Sequence, residues 1–434
     1  MTTRKLNGPL GGDYQTDGSG NAVPINTYPL TEADDVPLRL ADHEARVTAA
    51  EGDIPVARAI ARSNRVVAIG DSLTSGGTDN SVGRLGGYTS PITYASLISK
   101  QRIRHAYNAG IASQTSTQIA ARFQTDVVAK TPGAVVILCG TNDSSTGDMA
   151  ATRANITSMV EQALAAGILP CLMTLPPQNS ADTTQRTNLR ALNFWIMQYA
   201  AKRGIPVVDA YSCVVDPTTG NYASGLNSDV IHWNEAGARK VGQALSDVLS
   251  PLLPNSPLPL HGSAAAYGNL VSNGCFIGDA NTDGIADNWA VAGTAGTATK
   301  SLVSGDYPVL GNWQKLEETG TGTRALVCTN VTSGFSAGDV LAMCALVKTS
   351  GCVAAARRIN LMTGFNDAGF TTIYPLYNWI ADIDYGAIYG EFVVPAGASQ
   401  LSAQMQMSGG TAAMTASIQV AQVTILNLTQ LGLA

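Results

Sequence analysis

The sequence predicts an α/β fold, a three-layer α/β/α domain built on a parallel sheet, followed by an all-β sandwich. Three observations carry that prediction. Between Arg65 and Leu253, short apolar strands alternate in strict turn with amphipathic helical stretches, and each parallel crossover needs about a dozen or more residues, usually helical. Residues 250–262 then place four prolines within nine positions, which ends any helix and marks a linker. Beyond them, Gly/Thr/Ser-rich turns separate short alternating segments, the spacing of a sandwich of about 170 residues.

Residues 1–37 are rich in Gly, Asp, Thr and Pro without apolar period and read as an extended arm. From 38 to 51, Leu40, His43, Val47 and Ala50 recur at spacings of three and four, which fits either a short parallel coiled coil or an amphipathic helix packed on its own domain. Strands are predicted at 66–69, 103–107, 135–139, 169–174 and 206–208, and helices around 90–100, 114–130, 149–166, 183–203 and 234–249. The sandwich includes segments 325–328, 340–347, 390–394 and 418–426. The boundaries that follow are 1–62 for the arm and short helix, 63–253 for the α/β domain, 254–262 for the linker and 263–434 for the sandwich.

Bulk properties exclude several functions. The 434 residues are 45% hydrophobic and 13% charged with a net charge of −6, and no Lys/Arg cluster supplies the footprint that nucleic acid needs. Apolar runs such as Ala134 to Cys139, and even the longer Val340 to Val347, are far below the roughly 20 residues that cross a bilayer, so no membrane span is expected. The N-terminus lacks the apolar segment of a secretory signal, which points to a cytoplasmic protein or to exit from the cell by another route. Seven cysteines without CxxC or CxxH spacing read as buried free thiols rather than as a disulfide framework or a zinc site.

The chemistry gathers at strand ends, where open α/β sheets collect their ligands. The first strand runs into Gly70-Asp71-Ser72-Leu73, placing a serine where the chain must turn to begin a helix. The third ends in Gly140-Thr141-Asn142-Asp143, which sets a side-chain amide at the same edge; a carbonyl attacked by Ser72 develops negative charge that such a donor stabilises. Asp229-Val230-Ile231-His232 puts an acid three residues before a histidine, a spacing at which the carboxylate can hold the imidazole tautomer that accepts a serine proton. His43, His105 and His261 lack such an arrangement and read as surface histidines.

These blocks resemble the GDSL-type, or SGNH, hydrolase family: GDSL at 70–73, Asn-Ala-Gly-Ile-Ala-Ser at 108–113, GTND at 140–143 and DxxH at 229–232, in order over residues 65–253. The resemblance implies an SGNH-type fold and acyl transfer to water without a cofactor. It implies Ser72 as nucleophile, His232 as general base then acid, and Asp229 as the orienting acid. The oxyanion hole it implies comprises the N–H of Ser72 and the amide of Asn142, with a third donor from a glycine five residues after Asn108. That position is Ser113 here, whose backbone N–H survives the change; Gly110 then reads as backbone clearance.

In the second domain, residues 269–276 and Trp289 resemble the opening of jelly-roll carbohydrate-binding modules. Asp279, Asn281, Asp283 and Asp287 alternate around Gly284, a spacing that fits a structural calcium loop or an Asx-rich turn; Ala290 at the twelfth position excludes an EF-hand. Tyr374, Tyr377 and Trp379 form either a sugar-binding platform or sandwich core. The whole resembles a phage tail-fibre or tailspike esterase, which implies a virion-tail location, an O-acetylated bacterial surface polysaccharide as substrate, and a homo-oligomer, a homotrimer on that model. Two rivals stand beside it: an esterase or thioesterase acting on small or lipid esters, and a non-catalytic receptor-binding adhesin. The glycine-rich, polar stretch between Ser75 and Tyr88 argues against a greasy substrate, and the intact Ser, Asn, Asp and His set argues against a relic.

Overall fold

Val66, Val67, Ala68 and Ile69 are all buried, and a run apolar on both faces is what a central parallel strand requires. They form β3 (Arg65–Gly70) in a computed structural model that describes residues 14–16, 22–24, 61, 63–76, 86–99, 102–145, 149–255, 268–294, 297–306, 309–328, 331–367, 370–411 and 413–433. Contacts divide the chain into residues 1–54 and 55–434. Within the first unit, Tyr14–Thr16 (β1) and Ala22–Pro24 (β2) pair antiparallel, inside the predicted arm. The predicted coiled-coil seam at Leu40, His43, Val47 and Ala50 lies outside the described residues, as do His261 and residues 77–85 of the polar stretch.

The second unit opens with the α/β layer. After β3 come α1 (Ser72–Ser75), α2 (Pro91–Ile98), β4 (Arg104–Gly110), α3 (Ser116–Ala121), α4 (Phe123–Asp126), β5 (Ala134–Leu138) and α5 (Met149–Ala165). Then follow β6 (Leu169–Met173), α6 (Thr183–Arg203), β7 (Val207–Val208), α7 (Ala210–Val214) and α8 (Glu235–Leu249). All five predicted strands form, in one parallel sheet of order β4-β3-β5-β6-β7. The chain steps from β3 to one side and then back across it, so the topological switch point lies at the carboxyl ends of β3 and β5. The helix predicted over 114–130 is broken into α3, α4 and a 3-10 turn at Val128–Lys130. Elsewhere local chemistry sets the ends: Asp182 and Gln185 make a capping box before α6, and Gly204, in the left-handed region at φ 64°, closes it behind Lys202 and Arg203.

The remaining strands are β8 (Trp289–Thr294), β9 (Thr297–Ser304), β10 (Asn312–Thr319), β11 (Thr323–Cys328), β12 (Val340–Ser350), β13 (Arg357–Asp367), β14 (Phe370–Trp379), β15 (Ile383–Val393), β16 (Ala398–Gly409) and β17 (Thr415–Asn427). They make two antiparallel sheets of order β15-β12-β17-β10-β9 and β14-β13-β16-β11-β8, with the strand crossings of a jelly roll. Inward residues of both sheets are buried, among them Leu316, Leu326, Leu361, Ile388, Met405 and Ile425.

Sandwich and α/β layer pack together. Arg65 Nη2 lies 2.8 Å from Glu391 Oε2, the Arg104 guanidinium sits 5.2 Å above the Tyr389 ring, and that of Arg358 sits 4.0 Å above Tyr88. This packing corrects one expectation. His105 reads as a surface residue, but it is fully buried in β4, which β15 contacts, and burial lowers its pKa to about 3, so the ring is neutral. All seven cysteines are free thiols, six of them buried. Trp379 is buried and belongs to the core; the side chains of Tyr374 and Tyr377 lie outside the described residues.

Candidate active site

The serine is presented by a sharp turn. Asp71 caps α1, its carboxylate accepting the Leu73 N–H at 3.0 Å, so Ser72 becomes the first residue of a helix that begins directly off β3. The turn packs against β4 only because residue 110 has no side chain: a Cβ there would stand 2.2 Å from Ser75 N. Gly110 N–H donates to Asn108 Oδ1 at 2.9 Å, and Asn108 Nδ2 donates to Thr74 O at 3.1 Å, tying β4 to α1. Gly110 therefore provides clearance, as its sequence position suggests.

A separate loop delivers the base. Asn179 N–H donates to Val230 O at 2.7 Å, Tyr222 Oη donates to Ile231 O at 2.8 Å, and the buried Trp233 donates Nε1–H to Thr89 O at 2.7 Å. Held this way, His232 Nε2 lies 2.8 Å from Ser72 Oγ. Its Nδ1 lies 2.8 Å from Asp229 Oδ2 and 3.1 Å from Oδ1. Asp229 Oδ1 also accepts the backbone N–H of His232 at 2.7 Å and of Ile231 at 2.8 Å. Partial burial raises the Asp229 pKa, but these hydrogen bonds outweigh it and hold the carboxyl below its usual range. Three residues drawn from the two ends of the α/β layer thus form one hydrogen-bonded chain.

The other two predicted residues lie in the loops after β5 and β4, the strands on either side of β3. Asn142 follows β5, where Gly140 takes φ 117°, a conformation that favours glycine. Asn142 donates from Nδ2 to Gln114 O at 2.9 Å, which leaves its second amide hydrogen unspent on that bond and joins it to the loop carrying Ser113. Ser113 sits exposed in the left-handed region at φ 64°, the conformation its glycine counterpart would adopt freely.

Two buried carboxylates support the site without having been singled out from the sequence. Asp143 accepts Ser116 N–H at 2.9 Å, Ser116 Oγ–H at 2.6 Å and Thr152 Oγ1–H at 3.1 Å, so the last residue of GTND anchors the start of α3. Asp71 is fully buried, and desolvation raises its pKa to about 7 against the pull of its Leu73 hydrogen bond. Their place inside the recurring blocks was the available signal.

Residues 68–240 match the model of the GDSL-like lipase/acylhydrolase family. The α/β layer is a GDSL/SGNH hydrolase domain. No curated protein matches the chain. Among solved structures, a G-D-S-L family protein from Desulfitobacterium hafniense is 28% identical over 43% of this chain and 100% of its own, with a TM-score of 0.37. A GDSL-like lipase from Bacteroides thetaiotaomicron is 24% identical over 48% of this chain and 97% of its own, TM-score 0.36. An acetylxylan esterase from Geobacillus stearothermophilus is 22% identical over 45% of this chain and 99% of its own, TM-score 0.38. The hydrolase domain is an esterase/acylhydrolase by family.

Outside the hydrolase domain, the loop around Gly284 spends its carboxylates on its own backbone. Asp279 accepts from Asp283 N and Gly284 N, Asp283 from Ile285 N, and Asp287 from Ala280 N, the bonding of an Asx-rich turn. Among the described residues, no helix is long and apolar enough to cross a membrane.

Proposed function

We propose that this chain is a serine carboxylic ester hydrolase with Ser72 as nucleophile, His232 as general base and then acid, and Asp229 as the group that orients the imidazole. One observation carries the reading: the unbroken run of 2.8 Å contacts from Ser72 Oγ through both ring nitrogens of His232 to Asp229 Oδ2. As Ser72 Oγ bonds to the ester carbonyl carbon, His232 Nε2 takes the hydroxyl proton and the C=O electron pair moves to oxygen. The N–H groups of Ser72 and Ser113 and the Asn142 amide are the donors proposed for that oxyanion. Collapse expels the alcohol, which takes the proton from His232; water then repeats the sequence, releasing the acid and restoring Ser72. These steps call for no cofactor.

The proposed substrate is an O-acetyl group on a bacterial surface polysaccharide, and the proposed setting is a phage tail, the chain assembling as a homotrimer that reaches the exterior by lysis. Support for this is architectural. A hydrolase domain is joined to a jelly-roll sandwich whose opening resembles carbohydrate-binding modules, behind a segment with coiled-coil spacing.

Acetate release from a panel of O-acetylated polysaccharides tests the substrate. Ser72→Ala is expected to lower the rate by at least roughly a thousandfold and to abolish labelling by a fluorophosphonate probe. Hydrolysis of small esters with no acetate from any polysaccharide would reject the substrate while keeping the enzyme. A monomer in sedimentation velocity would reject the trimer.

A further inference from the structure

A cavity of about 400 Å³ opens between the β6–α6 loop, the first turns of α6, α7 and the turn at 217–220. Arg186, Arg190 and Tyr211 line it, and none of its lining residues is acidic. In a chain of net charge −6, that concentration of positive charge is not inherited from bulk composition. Arg186 and Arg190 stand four residues apart on α6, where like charges repel each other. Arg186 is committed in part, donating Nε–H to Ala181 O at 3.0 Å and Nη2–H to Asn221 Oδ1 at 2.7 Å. Its Nη1 and the Tyr211 hydroxyl both face Gly220, 4.0 and 3.8 Å from where a Cβ would stand. Arg190 is exposed and has no acceptor among the described residues.

The cavity is wired to the catalytic rim. Gln178, on its wall, donates Nε2–H to Thr141 O at 3.2 Å, one residue before Asn142. Asn179 donates its N–H to Val230 O at 2.7 Å, two residues before His232, and accepts Arg186 Nη2–H at 3.3 Å. These bonds tie the cavity wall to the two loops that carry Asn142 and His232.

We infer that the cavity is a subsite for an acidic sugar, whose carboxylate pairs with the Arg190 guanidinium and the free edge of Arg186. The inference rests on the esterase reading and narrows its substrate to anionic glycans. Guanidinium suits the task because its planar fork engages a carboxylate bidentately. The bound anion also relieves the repulsion between the two arginines.

The test is calorimetry on the full-length chain with trisaccharides containing glucuronate, galacturonate or N-acetylneuraminate, each beside its carboxyl-reduced counterpart. At least one acid should bind tenfold or more tightly than its reduced form. Arg190→Gln should erase that preference and Arg190→Lys retain part of it, while kcat/KM for 4-nitrophenyl acetate stays within twofold. Arg190 is exposed on a helix, so neither variant threatens folding. No preference for any acid form, or a preference that survives Arg190→Gln, overturns the inference. Because binding is read without turnover, failure to hydrolyse 4-nitrophenyl acetate would sink the esterase reading alone.

Discussion

Ser113 shows how a single backbone angle carries function. A non-glycine residue at φ 64° is held there at a cost of roughly 1–2 kcal/mol. Ser113→Gly removes that strain but restores freedom to the unfolded chain, worth about 0.5–1 kcal/mol in the other direction. The expected net is a stabilisation on the order of 0.5 kcal/mol, read as a small rise in melting temperature. Since the N–H survives, kcat should hold within a few-fold. A fall of tenfold or more would mean that the serine hydroxyl, not only the backbone, serves the site. The position itself was readable by counting from Asn108; its left-handed geometry was not, because φ depends on how the loop closes over Asn142.

At the scale of the element, α1 is a four-residue helix whose cap is a buried acid. Burial raises the Asp71 pKa from 3.8 to about 7, so the folded protein keeps a proton that the unfolded chain loses near pH 4. The contribution of Asp71 to stability is thus complete below pH 3.8 and is lost progressively as pH rises to about 7. Asp71→Asn keeps an acceptor for the Leu73 N–H and carries no charge. Its melting temperature should gain on wild type between pH 4.5 and 7.5 and run parallel above that. Parallel curves throughout would show that Asp71 does not titrate in this interval. Gly-Asp-Ser-Leu marked the turn in the sequence, but nothing in those four residues signals that Asp71 is fully buried, directly after β3, the strand between β4 and β5.

At the scale of the molecule, the proline-rich stretch marks a linker in the sequence, and the parts it joins make specific contacts. Arg65 with Glu391, Arg104 with Tyr389 and Arg358 with Tyr88 each join the hydrolase domain to the sandwich. Differential scanning calorimetry should therefore show both melting in one endotherm, with calorimetric and van't Hoff enthalpies equal. Two resolved endotherms would mean that these contacts do not couple them. Tyr88 adds a functional edge to the point, since it ends the polar stretch that begins at Ser75 and precedes Thr89, the anchor of Trp233.

By itself, the sequence determined the parallel sheet, the sandwich beyond the prolines, and the identity of Ser72, His232, Asp229 and Asn142 as candidates. Those features are local: apolar period, turn residues and short motifs at strand ends. Only the tertiary structure decided that His232 Nε2 stands 2.8 Å from Ser72 Oγ, that His105 is buried, and that Arg186 and Arg190 share a cavity with Tyr211. Each of these joins residues far apart in the chain or buries one beneath a distant element. Such distances follow from sheet order and loop closure, which no local pattern encodes.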